Sequence, residues 1–147
     1  QIAVLLHDCG KYINMAQSSA CSYNIIMATE IIGLSHAERE MVANVVRFNS
    51  SLFMSYEELA AGSLLDREEY LIIAKLTAIL RVANALDRSH KQKIKDIKVS
   101  MKGGHTMQIL VDTAEDLTLE QALFREKAEF FEEVYSIRPV LKAKKLL

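Results

Sequence analysis

The chain has 147 residues, of which 50% are hydrophobic and 25% are charged, and its formal net charge is -1. This is the composition of a folded domain, and its charge balance provides no general attraction for nucleic acid or for membranes. No apolar segment approaches the ~20 residues of a membrane span, and two cysteines are too few for a disulfide framework, so we expect reduced thiols in a cytoplasmic protein.

Hydrophobic periodicity predicts helices over most of residues 1–90. The predicted helices cover residues 2–7, 22–32, 35 to about 49, 55 to about 62 and 66 to about 88. Ser35 and Ser55 each begin a Ser-x-x-Glu pattern, which is typical of a helix N-terminus. The longest helix is predicted to bury an apolar stripe that consists of Ile72, Leu76, Ile79, Leu80 and Ala83.

The periodicity changes to two after residue 92. Alternation predicts strands over residues 93–101 and 107–111, joined by a two-residue turn at Gly103-Gly104. A helix over about 118–135 follows, with Phe124, Ala128 and Phe131 on its buried face, and then a short strand over 137–142. We therefore predict a mainly α fold, in which a helical bundle precedes a small antiparallel β-sheet with a covering C-terminal helix.

The first residues that indicate a functional site are the adjacent His7 and Asp8, in the stretch LLHDCGKYI. Imidazole and carboxylate together suit a transition metal or magnesium, and an open position on such an ion holds an activated water. A site of this type also needs a later aspartate, and Asp87 continues the predicted buried stripe of the longest helix. A buried carboxylate is costly unless it is paired or bound to a cation. His7, Asp8 and Asp87 are therefore predicted to form either a weak divalent metal site or a buried hydrogen-bonded cluster.

The sequence resembles the C-terminal HD-like helical domain of bacterial exopolyphosphatases, a family shared with guanosine pentaphosphate phosphatases. The resemblance rests on LLHDCGKYI, SYNIIMATEIIGLSHAEREMVANVVRFN, LTAILRVANALDRSH, the lysine-rich hairpin and FREKAEFFEEVYSIRPVL, in that order. It implies a single HD-like domain over residues 1–147, with the bundle over about 1–90 and the hairpin, helix and short strand over about 91–147. It also implies a preceding actin-like catalytic domain that uses magnesium, and the first residue is not methionine, so we expect a C-terminal fragment.

Two asparagines stand where the family often has histidines. Helical spacing places Asn24 and Asn49 on inward faces, so both are expected to line the site. Asparagine is a far poorer ligand for a transition metal than imidazole is. These departures favour the hydrogen-bonded cluster over a bound metal, and no cofactor is expected in this domain.

A run of cations follows the longest helix. Its members are Arg88, Lys91, Lys93, Lys95 and Lys98. Such a ridge attracts polyanions, with strong salt dependence, or protects an edge strand against aggregation, and the sequence does not separate these two roles. If the resemblance holds, polyphosphate is the natural ligand, and Arg47 and Arg81 become further candidates.

Three functions from different classes are open to this sequence, and the third of them is a pure protein-interaction domain in signalling. The first is an auxiliary domain of an exopolyphosphatase-like hydrolase, which contributes to polyphosphate binding, to contact with its own N-terminal catalytic domain and to homodimer formation, and which is not catalytic alone. The second is a metal-dependent phosphohydrolase of the HD superfamily that acts on a nucleotide phosphate through His7, Asp8 and Asp87. The replacements at Asn24 and Asn49 favour the first.

Overall fold

A computed structural model describes residues 1–87 and 91–145, and for Lys145 it describes the backbone only. The chain divides into two compact units, Gln1–Leu80 and Arg81–Leu147, which are described separately below. The division between the units lies inside the longest helix. It therefore comes about ten residues before the predicted change from bundle to hairpin near residue 90. That the whole chain forms one domain stays a prediction.

All secondary-structure elements of the first unit are helices. Its elements are α1 (Ile2–Leu6), a 3-10 helix (Cys9–Tyr12), α2 (Ser18–Ala28), α3 (His36–Ser50), α4 (Tyr56–Ala60) and most of α5 (Arg67–Leu86). Both predicted capping boxes are confirmed: the hydroxyls of Ser35 and Ser55 accept the backbone N–H of the glutamate three residues later, and that glutamate accepts the serine N–H in return. No described helix combines the length and the apolar character that crossing a bilayer requires.

Helix α2 begins and ends earlier than the predicted range 22–32. The side-chain oxygen of Asn14 accepts the backbone N–H groups of Ala16 and Gln17, which closes a turn just before the helix begins at Ser18. At the other end, Thr29 is in an extended conformation with ψ 134°, so the helix stops at Ala28 rather than continuing to Gly33. The asparagine turn is a local signal in the sequence that the predicted range overlooks.

The core of the first unit lies between α3 and α5. Val45 and Phe48 of α3 belong to one buried cluster with Ile73 and Leu80 of α5. A second cluster joins Ile26 of α2 to α3, where its members are Ala43 and Val46.

The predicted buried stripe of α5 is wrong for four of its five residues. Ile72, Leu76 and Ile79 are 44%, 46% and 49% exposed, and Ala83 is exposed too. The buried face instead runs through Ile73, Thr77 and Leu80, of which only Leu80 belonged to the predicted stripe. The helix is apolar on more than one side, and the true inner face contains a polar threonine, so periodicity selected the wrong face.

The second unit contains a three-stranded sheet and a helix. Its elements are β1 (Asp96–Lys102), β2 (Thr106–Thr113), α6 (Thr118–Tyr135) and β3 (Arg138–Lys145), with strand order β1-β2-β3. Lys102 pairs with Thr106, so the hairpin loop has three residues rather than the predicted two. Gly103 and Gly104 have φ 59° and 79°, a conformation that glycine adopts readily.

The sheet is mixed, which corrects the prediction of an antiparallel sheet. β1 and β2 are antiparallel, whereas β2 and β3 are parallel. The reason is α6, which carries the chain back to the end at which β2 began, as a parallel connection requires. The range of α6 and the burial of Phe124, Ala128 and Phe131 are as predicted. β3 extends through Lys145, into a region that the prediction left out of the strand.

Candidate functional site

His7 and Asp8 lie at the end of α1 and face each other. His7 Nδ1 is 2.7 Å from the carbonyl oxygen of Val4, so Nδ1 carries the hydrogen and donates it to that oxygen. In the neutral ring, Nε2 then presents its lone pair, and it lies 3.5 Å from Asp8 Oδ2. The structure therefore brings the predicted pair together, with side chains that are 23% and 33% exposed.

Asp8 already has a cation from its own sequence stretch. Lys11 Nζ lies 2.7 Å from Asp8 Oδ2, and the lysine side chain is 35% exposed. A pair this open to water contributes about 1 kcal/mol or less to stability. Its chemical consequence is larger, because the ammonium group supplies at Oδ2 the positive charge that a metal ion would supply.

Asp87 has a local partner as well. Its Oδ1 accepts the backbone N–H of Gln92 at 3.0 Å. Within residues 1–87 and 91–145, no three His, Cys, Asp or Glu side chains are grouped so that they could hold a metal ion. The donor set of His7 and Asp8, with Lys11 on the carboxylate, does not fit a divalent ion.

Gly10 holds the segment that follows His7-Asp8 against α2. Its backbone N–H donates to Ser22 Oγ at 2.8 Å, and both residues are buried. A Cβ added at Gly10 would lie 2.1 Å from the carbonyl oxygen of Ser18 and 2.5 Å from the backbone nitrogen of Ser22. Only glycine allows so close a backbone approach, so the HDCGK stretch is shaped by packing as well as by its charged groups.

The two asparagines have different surroundings. Asn24 is exposed, so the prediction that it faces inward is wrong; the earlier start of α2 turns Ser22 and Ile26 inward instead. Asn49 is 5% exposed, and its Oδ1 finds no hydrogen-bond donor among the described residues. A buried acceptor in this state costs free energy, and it is a place where ordered water usually binds.

Two of the candidate arginines are engaged by aromatic rings. The Arg47 guanidinium carbon is 5.5 Å from the ring centroid of Tyr23 and 5.7 Å from that of Phe48. The corresponding atom of Arg81 is 4.6 Å from the Phe130 ring centroid, and burial lowers the pKa of Arg81 below its usual value. Each guanidinium therefore lies over an aromatic ring, and phosphate binding by Arg47 or Arg81 stays a prediction. Arg88 lies outside the described residues.

Lys93 is part of an internal ion pair, which removes it from the polyanion candidates. Its Nζ lies 3.1 Å from Glu120 Oε2 and donates to the carbonyl oxygen of Asp116 at 2.8 Å. The Lys93 side chain is 16% exposed and the Glu120 side chain 1%. The backbone carbonyl of Lys93 also accepts the Thr113 hydroxyl at 2.8 Å. Lys93 thus fastens the segment before β1 to the start of α6.

The remaining predicted lysines are exposed, and one of them lies on a basic face of the sheet. Lys91 and Lys95 precede β1, and Lys98 lies within it. Strand register aligns residues of β1, β2 and β3 in rows across the sheet. One row consists of Lys98, Leu110 and Lys142, and a second consists of Lys102, Thr106 and Arg138. A third row consists of Asp96, Asp112 and Lys144. Register partners point to the same side of a sheet. We call the exposed cations Lys98, Lys102, Arg138, Lys142 and Lys144 the cationic face.

The predicted run of cations did not include the part of the cationic face that β3 contributes. Lys142 and Lys144 show the period-two spacing of a strand, but the segment was interpreted as a strand only as far as residue 142. The cationic face is diluted by Asp96 and Asp112, and Arg138 Nε donates to Glu132 Oε2 at 2.9 Å. Lys98, Lys102, Lys142 and Lys144 make up the rest of its positive charge.

Comparison with protein families gives a match over most of the chain. Residues 1–129 match the family model described as Ppx/GppA phosphatase, domain III. No curated protein matches the chain. The matched range ends inside α6 and includes His7, Asp8, β1 and β2.

Proposed function

Because the chain belongs to the Ppx/GppA phosphatase family, we propose that it is the C-terminal auxiliary domain of an exopolyphosphatase-like enzyme and that it binds polyphosphate. The observation that carries this proposal is the cationic face of the sheet. The N-terminal catalytic domain of the enzyme releases the terminal phosphate with the help of magnesium. The C-terminal domain binds the rest of the polyphosphate polymer. We also propose that the protein is cytoplasmic, which the free thiols of Cys9 and Cys21 support.

The spacing of the cationic face suits a linear polyanion. Lys98 and Lys142 flank β2, so their backbones are about 10 Å apart, and Lys142 and Lys144 are about 7 Å apart along one strand. A flexible chain with a charge on every phosphate contacts several such lysines at once without needing a shaped pocket. Binding of this kind is electrostatic, and it weakens steeply as salt is added.

The His7-Asp8 pair supports an auxiliary role rather than cleavage by this domain. Asp8 is paired with Lys11, and within residues 1–87 and 91–145 no three His, Cys, Asp or Glu side chains form the ligand group that a hydrolytic metal site needs. The pair then serves the local structure at the end of α1, where His7 also bonds to Val4.

Contacts with other parts of the enzyme belong to the same proposal. A short stretch of α5 exposes four large apolar side chains, which is unusual. They are 44–54% exposed and belong to Leu71, Ile72, Leu76 and Ile79. Exposed apolar patches of this kind mark protein interfaces. We assign this surface to contact with the catalytic domain or with a second copy of the chain.

Calorimetric titration with polyphosphate tests the proposal. The variant Lys98→Ala/Lys142→Ala/Lys144→Ala should bind about tenfold more weakly or worse, and its binding should depend less on salt, because fewer counterions are displaced. The matched control is Lys75→Ala, which removes an exposed lysine of the first unit. Equal weakening by the control, or no weakening by the triple variant, overturns the assignment.

Two measurements on the purified chain address the competing activity. The chain alone should release no phosphate from polyphosphate or from nucleotides in the presence of magnesium or manganese. Metal analysis, with Asp8→Ala as control, should give no stoichiometric divalent ion. Phosphate release that is lost in Asp8→Ala would instead establish the metal-dependent phosphohydrolase.

A further inference from the structure

A cleft of about 450 Å³ lies between α6 and β3 in the second unit. Its α6 wall includes Phe124, Arg125 and Ala128, and its other wall is the β3 segment from Arg138 to Leu141. Of the cationic face, Arg138 lines this cleft and donates there to Glu132, whereas the four lysines that carry the proposed polyphosphate role do not line it.

The β3 wall of the cleft is a free strand edge. β3 is last in the strand order and pairs only with β2 among the described residues. The backbone N–H of Arg138 donates to the His105 carbonyl at 2.8 Å, which sets the alternation of β3. The peptide groups that face β2 therefore belong to Arg138, Val140 and Lys142. Those that face away from β2, at the open edge, belong to Pro139, Leu141 and Ala143. Proline at an outward position is typical of an edge strand, because it lacks the N–H group.

The cleft has a mixed lining, in which apolar side chains lie among charged and polar ones, while the neighbouring face of the strand is basic. The charged and polar lining residues are Gln121, Arg125, Glu129, Glu132 and Arg138. Phe124 and Ala128 are 2% and 8% exposed, and Pro139 is buried beside them. Register alternation places Lys142 and Lys144 on the opposite side of β3, on the cationic face. A strand added to this edge thus meets Phe124, Ala128 and Pro139 among charged α6 side chains on one side and lysines on the other.

We propose that the cleft receives an extended segment of another polypeptide, with alternating apolar and acidic side chains, as a fourth strand of the sheet. Main-chain hydrogen bonds to Leu141 and Ala143 supply affinity, and the alternating side chains supply specificity, as in other cases of strand addition. The apolar side chains lie against Phe124 and Ala128. A second copy of this chain is disfavoured, because β1 or β3 of that copy would place lysines beside Lys142 and Lys144.

The probe is an acetylated peptide of alternating valine and glutamate, as long as β3, titrated into the whole chain by calorimetry. Backbone N-methylation of alternate residues makes two versions of the peptide. The version methylated on the amides that face β3 should bind about tenfold more weakly or worse, and the other should bind as the parent does. Amide exchange at Leu141 and Ala143 should slow when the parent peptide is bound.

Protein variants keep the test independent of the peptide chemistry. Ala128→Leu fills the cleft and should weaken peptide binding about tenfold, whereas Ala122→Leu, on the exposed side of the same helix, should not. Polyphosphate binding should be unchanged in Ala128→Leu, so failure of this proposal is distinguishable from failure of the polyphosphate assignment. Equal weakening by both methylated peptides, equal binding of a valine-lysine peptide, or self-association of the chain through this edge overturns the inference.

Discussion

Gly10→Ala tests how the segment after His7-Asp8 is held against α2. The new Cβ would lie 2.1 Å from the Ser18 carbonyl oxygen, about 1 Å inside the 3.0 Å limit that real Cβ contacts respect. The atoms it meets belong to the backbone, so no rotamer change relieves the overlap. The 3-10 helix and α2 must separate, and the 2.8 Å hydrogen bond from the Gly10 N–H to Ser22 Oγ is lost with them.

The expected loss of stability has two parts. Overpacking in a closely packed contact costs roughly 1–3 kcal/mol, and a buried N–H without its acceptor costs roughly 1–3 kcal/mol. We expect Gly10→Ala to lower the free energy of unfolding by about 4 kcal/mol, which for a chain of this size lowers the melting temperature by about 10 °C or more. Ser22→Ala removes the acceptor alone and should cost about 1–3 kcal/mol.

Urea and thermal denaturation followed by circular dichroism measure both losses. Gly62→Ala is the matched control, because a Cβ there meets nothing within 4 Å. It should be neutral or should stabilise by about 0.4–1 kcal/mol. If Gly10→Ala and Gly62→Ala unfold at the same denaturant concentration, the backbones of Gly10 and α2 do not approach this closely.

Three further predictions concern single side chains. Asn49→Leu removes a buried acceptor that lacks a donor and should raise stability by about 1 kcal/mol; a loss of stability in denaturation would indicate that the oxygen binds ordered water. Lys93→Met takes the ammonium from the buried Glu120 carboxylate and should cost about 3 kcal/mol, and a melting temperature equal to that of the unmodified chain would contradict this. Hydrogen bonds from Ser35 hold the pKa of Glu38 below its ordinary 4.5, so this stabilisation is present above pH 4.5 and is lost as pH falls through the lower folded value. The backbone N–H of Ser35 is the larger cause and remains in Ser35→Ala. An NMR titration should therefore find the pKa of Glu38 raised only in part in this variant, and a full return to 4.5 would contradict this order of causes.

The sequence predicted those parts of the fold that depend on neighbouring residues. The capping boxes at Ser35 and Ser55 and the apolar face of α6 follow from spacings of three or four residues, and the structure confirms them. The inner face of α5 was not predictable in this way. Both sides of that helix are apolar, and contact with α3 selects the side that contains Thr77.

The candidate site depended more on long-range pairing. Composition identified a basic segment, but strand register decides which of its lysines share a face, and register joins Lys98 to Lys142 across β2. Lys93 looked like its neighbours in the sequence, yet the buried carboxylate of Glu120 engages it. Of the metal-site residues, the adjacent pair His7-Asp8 is brought together within the first unit.

The mixed pairing of the sheet has a consequence for the order in which the second unit folds. β1 and β2 are joined by a three-residue loop and pair from local contacts, whereas β3 reaches β2 only after α6 has been placed. Closing the longer connection costs more chain entropy, so we expect the hairpin to form before the rate-limiting barrier and β3 to dock after it. Destabilising changes in β3 should then accelerate unfolding and leave the refolding rate nearly unaltered.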